Sequence, residues 1–166
     1  MKVTIFDLEF DSECCYIQKN SIVEKITFNN RTLYSKFKKI ETPPTDILIH
    51  QHLNRELTLA LPLVENGVVN YLVLEYEKEK SDYFYHLIKH LLKSLHLNNF
   101  FTYSGSKENM VQIFIPRESL SIEDAYQETE KIETMLEMKS SKRCKILPTQ
   151  NLPKFYNIVT LPTQKM

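Results

Sequence analysis

Apolar and polar positions alternate through residues 16–40, where Ile26-Thr27-Phe28 and Thr32-Leu33-Tyr34 flank Asn29-Asn30. A period of two around a turn-forming pair predicts an antiparallel hairpin. Pro43-Pro44 ends the alternation, and Thr45 is placed to cap a short helix with Ile47, Leu48 and Leu53 on its inner side. Residues 57–61 and 68–76 read as two strands around the Glu65-Asn66-Gly67 turn. The second is almost wholly apolar before its glutamates, as a central strand should be. The period changes at Ser81, the predicted cap of a helix reaching about His96, with Phe84, Leu87, Ile88, Leu91 and Leu95 as its buried stripe. Strands are predicted at residues 100–103 and 111–115. A helix starts near Ser121, whose hydroxyl and Asp124 resemble a capping box, and closing strands fit residues 144–147 and 156–161. The order is α+β: a mixed, mainly antiparallel sheet with packed helices.

The length of 166 residues fits one domain, and we expect residues 1–45 to form an N-terminal β-hairpin extension on a core of residues 46–166. With 42% hydrophobic and 25% charged residues the composition is that of an ordinary globular chain. No apolar run approaches the roughly 20 residues that cross a bilayer, and the first residues lack the pattern of a signal peptide. The expectation is a cytoplasmic protein without a membrane partner. Cys14, Cys15 and Cys144 match neither a disulfide framework nor metal spacing, and read as buried thiols.

Net charge is zero, but all 21 acidic residues lie at or before Glu137. Lys139, Lys142, Arg143 and Lys145 therefore follow with no acid among them, a candidate nucleic-acid surface that competes with a plain solvated face. His86 and His90 stand four apart on the predicted helix, but Lys89 and Lys93 share their side, so a solvated face is the better reading than a zinc site. His50 and His52 diverge on their short helix.

Three short stretches carry candidate chemistry. In Leu74-Glu75-Tyr76-Glu77 the carboxylates leave one face of a strand about 7 Å apart, from where two flexible acids can converge on a divalent cation. Tyr103-Ser104-Gly105-Ser106-Lys107 offers small residues, whose backbone can approach a phosphate, followed by a cation. Pro148-Thr149-Gln150-Asn151 and the run from Asn157 to Gln164 complete the set.

Together with His52-Leu53 and Ala60-Leu61-Pro62-Leu63, these stretches resemble, in order, the archaeo-eukaryotic primase (primase-polymerase) superfamily, above all its conflict-system-associated bacterial branch. The resemblance implies an RRM-like core and a Mg²⁺ or Mn²⁺ site, with Glu75 and Glu77 as its first two acids and Asn151 at the third acid position. It implies a nucleotide-binding loop of Ser104, Gly105, Ser106 and Lys107. The loop histidine of the family falls on Met110 without a gap, or on Gln112 if two residues are inserted. One cleft should hold all these groups.

The departures from the family pattern set the functional expectation. Glutamate in place of aspartate moves each carboxylate by about 1.5 Å. Asn151 carries no charge, the loop histidine is missing, and Glu108 or Asn109 replaces a glycine. We therefore expect a catalytically degenerate primase-polymerase-like domain with weak metal affinity, serving as a binding module for nucleic acid through its basic segment or for another protein. The alternatives are an active Mg²⁺- or Mn²⁺-dependent nucleotidyltransferase and a protein-interaction scaffold without nucleotide contact.

Overall fold

The structure, a computed structural model, describes residues 2–166, which form fourteen strands and three α-helices. The first half contains β1 (Lys2–Ile5), β2 (Leu8–Asp11), β3 (Cys15–Gln18), β4 (Glu24–Phe28), β5 (Arg31–Ser35), β6 (Phe37–Ile40), α1 (Asp46–Leu53) and β7 (Leu59–Pro62). Then come β8 (Val64–Glu65), β9 (Val68–Glu77), α2 (Tyr83–Ser94), β10 (Phe101–Ser104), β11 (Met110–Ser121) and α3 (Ile122–Lys139). The chain closes with β12 (Lys145–Leu147), a 3-10 turn at Lys154–Tyr156, β13 (Ile158–Thr160) and β14 (Gln164–Lys165).

The architecture has three layers. A central antiparallel sheet in the order β12-β9-β11-β10-β14, with β8 also paired to β9, carries α2 and α3 on one face. Its other face packs on a second antiparallel sheet, β13-β7-β3-β6, and on the β1-β2 hairpin. Alternation along β9 explains the division. Leu72 and Leu74 face Ile88, Leu91 and Leu92 of α2, while Tyr71 and Val73 face Leu59, Leu61 and Val159 of the second sheet. Each fully buried leucine or isoleucine in these layers contributes about 1.5–3 kcal/mol.

Several expectations are met in detail. The hairpin around Asn29-Asn30 is β4-β5, with both asparagines at positive φ (51° and 61°), as a two-residue turn between twisted strands requires. Thr45 caps α1 by accepting from the Leu48 amide at 3.2 Å, and Ser121 caps α3 by accepting from the Asp124 amide at 3.2 Å.

Others need correction. The Asn66-Gly67 turn joins β8 to β9, whereas β7 leaves for the other sheet. Ile47 is 72% exposed, and it is Leu48, Ile49 and Leu53 that pack inward from α1. α2 begins after Asp82 rather than on a Ser81 cap. Val3, Ile5, Leu8, Phe10 and Cys15 are buried in the same core as Phe114 and Leu147.

Candidate functional site

Glu75 sits near the end of β9 with Gln112 of β11 opposite it on one side and Lys145 of β12 opposite it on the other. Residues paired across strands share a face, so all three point into the layer between the two sheets. Tyr76 turns the other way, and its ring packs edge-on against Phe84 at 4.9 Å. Burial pushes the Glu75 carboxyl above its ordinary value, against the pull of the Lys145 ammonium, the Gln112 amide and Lys107. Gln112 is itself fully buried; its Nε2 donates to the Thr160 carbonyl at 2.9 Å and its Oε1 has no partner.

Above this floor the two sheets part to leave a cleft of about 900 Å³. Glu75, Ser106, Lys107, Met110 and Lys145 line it from the central sheet; Tyr16, Phe37, Lys39 and Thr160 line it from the second. The β4-β5 hairpin, which pairs with no other strand, forms its third side through Glu24 and Tyr34. Phe155 and Tyr156, edge to face at 5.0 Å, close the rim. Ile22, Val23, Tyr34 and Phe155 are between 45% and 58% exposed and all border this one cleft. Four lysines (Lys36, Lys39, Lys107 and Lys145) face two glutamates across it. The aromatic rim and Lys36 and Lys39 escaped the sequence reading; the basic and aromatic interleaving of Lys36-Phe37-Lys38-Lys39 was the available signal.

The residues expected to share the cleft divide. Glu77 is on the same face as Glu75 but emerges into solvent opposite Met110. Ser104 and Gly105 belong to a closed turn. The Gly105 amide donates to the Met110 carbonyl at 2.9 Å, the Thr163 amide donates to the Ser104 carbonyl at 3.0 Å, and the Thr163 hydroxyl donates to the Gly105 carbonyl at 2.9 Å. A Cβ at Gly105 would stand 2.5 Å from Met110 Sδ, so the glycine lets the Met110 side chain pack against the backbone of the turn. Only Ser106 and Lys107 of the loop reach the cleft.

Asn151 borders a second groove, between the end of α3 and β12, together with Lys142 and Arg143. Its backbone carbonyl accepts from Arg31 at 2.6 Å, which ties the tip of the β4-β5 hairpin to the chain after β12. Neither is the basic segment free of acids in space. The Lys142 ammonium pairs with Glu79 at 3.1 Å and lies 5.8 Å from the Phe84 ring, and Glu133 and Glu137 border the same groove. Lys139 and Arg143 are exposed, and Lys145 borders both grooves. His86 and His90 are exposed on α2.

A divalent cation is what the primase resemblance implies at Glu75 and Glu77, and the donor set does not suit one. Mg²⁺ and Mn²⁺ require several oxygen ligands at short range. Here Glu75 has Lys145 opposite it across the strands and shares the cleft with Lys107, and Asn151 borders another groove. Among the described residues no three His, Cys, Asp or Glu side chains converge on one point.

This layering of helices, central sheet and second sheet around a terminal cleft is a primase-polymerase-like fold. The solved "Polymerase Domain from Mycobacterium tuberculosis Ligase D in complex with DNA" superposes with a TM-score of 0.51 at 14% identity, covering 90% of this chain and 67% of that one. A family model described as "Domain of unknown function (DUF1882)" matches residues 3–70, the stretch holding the β4-β5 hairpin, α1 and all of the second sheet except β13. No curated protein matches the chain.

Proposed function

We propose that this chain is a primase-polymerase-like domain that binds nucleic acid in the cleft between its two sheets without transferring nucleotides. The observation that carries the reading is the cleft lining, four lysines interleaved with exposed or half-exposed rings of Tyr16, Tyr34, Phe37 and Phe155. Lysines at that spacing attract a phosphate backbone, and aromatic faces accept bases regardless of sequence. The DNA in the Ligase D polymerase complex supports a nucleic acid as the class of ligand. Against nucleotidyl transfer stand the lysines that share the cleft with Glu75, the solvent position of Glu77 and the place of Asn151 on the second groove. The cleft, more than the basic segment around Lys142, is the binding surface, because Lys142 is already paired.

Fluorescence anisotropy with labelled single- and double-stranded oligonucleotides at low salt tests the proposal. The expected Kd lies in the range of about 10⁻⁴ to 10⁻⁶ M. Primer extension with Mn²⁺ and labelled nucleotides, run in parallel, should be negative. Extension that disappears in Glu75→Ala makes the protein an enzyme, and absence of any oligonucleotide binding turns the exposed rim into a protein-interaction surface.

A further inference from the structure

We infer that the Lys145 ammonium is the resident cation of the cleft, supplying beside Glu75 the positive charge that a divalent ion would bring, so that phosphate-bearing ligands bind here without metal. The inference rests on the reading of the cleft as a nucleic-acid site and goes further, since it specifies how the phosphate is held.

The strand register is the first argument. β12 pairs with β9 through Lys145 opposite Glu75, Ile146 opposite Leu74 and Leu147 opposite Val73. Leu147 is 1% exposed in the core between the sheets and Ile146 is buried against the helices, so the register cannot slip without turning both out. Lys145 therefore has a fixed origin next to Glu75, on the same face, as a third carboxylate of a metal site would.

Charge is the second argument. Lys107 reaches the same cleft from the loop after β10, and both lysines act on the Glu75 carboxyl. Glu75 with two lysines is a net positive cluster, attractive to a phosphate and repulsive to a divalent cation. Beneath it, Gln112 has its Nε2 engaged by Thr160 and leaves only the buried Oε1 acceptor free, a group suited to an ammonium donor. Glu75 on this view offsets part of the lysine charge between ligands, and a ligand phosphate supplies the close partner for the ammonium groups.

The test uses the full chain. Free Mn²⁺, followed by electron paramagnetic resonance during titration, should reveal no wild-type site tighter than about 1 mM. Lys145→Glu would align three carboxylates on one face, and should bind Mn²⁺ at least tenfold more tightly, a gain abolished by adding Glu75→Gln. Wild-type binding of a labelled oligothymidine should agree within twofold in EDTA and in Mg²⁺. A micromolar wild-type Mn²⁺ site lost in Glu75→Gln overturns the inference, as does oligonucleotide binding that requires Mg²⁺. So does a Lys145→Glu variant with a native circular dichroism spectrum and no gain in Mn²⁺ affinity. Should that variant not fold, the two wild-type measurements decide. If the wild type binds no oligonucleotide at all, the proposed function falls while the Mn²⁺ titration still judges Lys145.

Discussion

His52 ties α1 to β7, seven residues on, and to the segment after β13, 109 residues on. Its Nδ1 accepts from the Leu59 amide at 3.0 Å and its Nε2 donates to the Leu161 carbonyl at 2.8 Å, so the ring must be neutral. Burial holds its pKa below the ordinary value, partly opposed by hydrogen bonds to the Leu161 and Pro162 carbonyls. The folded state therefore binds fewer protons than the unfolded one at low pH, and the contribution of His52 to stability is present above about pH 6.5 and lost as pH falls. Glu75, with its carboxyl raised, works in the opposite direction and loses stability as pH rises from the ordinary carboxylate range. Urea unfolding between pH 5 and 8 should thus show wild type losing stability relative to His52→Gln as pH drops, by at most about 1.4 kcal/mol per unit. A second expectation concerns Gly105: its alanine variant crowds Met110 Sδ, Cγ and Cβ at 2.5, 2.8 and 3.1 Å. Met110 must swing toward the cleft, at a cost of about 1–2 kcal/mol measurable as a lowered urea midpoint.

At the scale of elements the β4-β5 hairpin is the part with fewest ties, its residues all exposed or half-buried and its strands paired only to each other. The Arg31 hydrogen bond to the Asn151 carbonyl anchors its tip at the surface. Arg31→Ala should accordingly leave global stability within about 0.5 kcal/mol yet accelerate amide hydrogen exchange across residues 23–35, as mass spectrometry of peptic fragments would show. If bases stack on the rim, Tyr34→Ser with Phe155→Ser should weaken single-stranded binding by about 1 kcal/mol or more, with little change for duplex, read by anisotropy. The hairpin was legible because alternation and Asn-Asn are local signals, and so were the caps at Thr45 and Ser121. The partners of β7 were not. Its neighbour β13 lies almost 100 residues further on, and adjacency to the Asn66-Gly67 turn pointed to the wrong sheet. For the same reason Lys145 escaped notice as the residue opposite Glu75, and the motif order directed attention to Asn151.

For the whole molecule, zero net charge coexists with a local excess of lysine in the cleft. If all four cleft lysines meet phosphates, the log-log salt dependence of single-stranded binding should have a slope near −3, and Lys36→Ser with Lys107→Ser should flatten it toward about −1.4. The basic stretch after Glu137 looked acid-free only because sequence distance was mistaken for spatial distance; Glu79 comes from the far side of α2 and α3 to meet Lys142. The three-layer arrangement also governs how the chain is made. In the second sheet, β7 lies between β3 and β13, and the core beneath it closes only when Leu147, Val159 and Leu161 arrive. The stretch matched by the family model, residues 3–70, thus supplies three strands of a sheet whose fourth, β13, leaves the ribosome almost 100 residues after its partner β7. Nascent chains arrested before Ile158 should remain open to protease along their entire N-terminal third, and become resistant in a single step once β13 has cleared the exit tunnel.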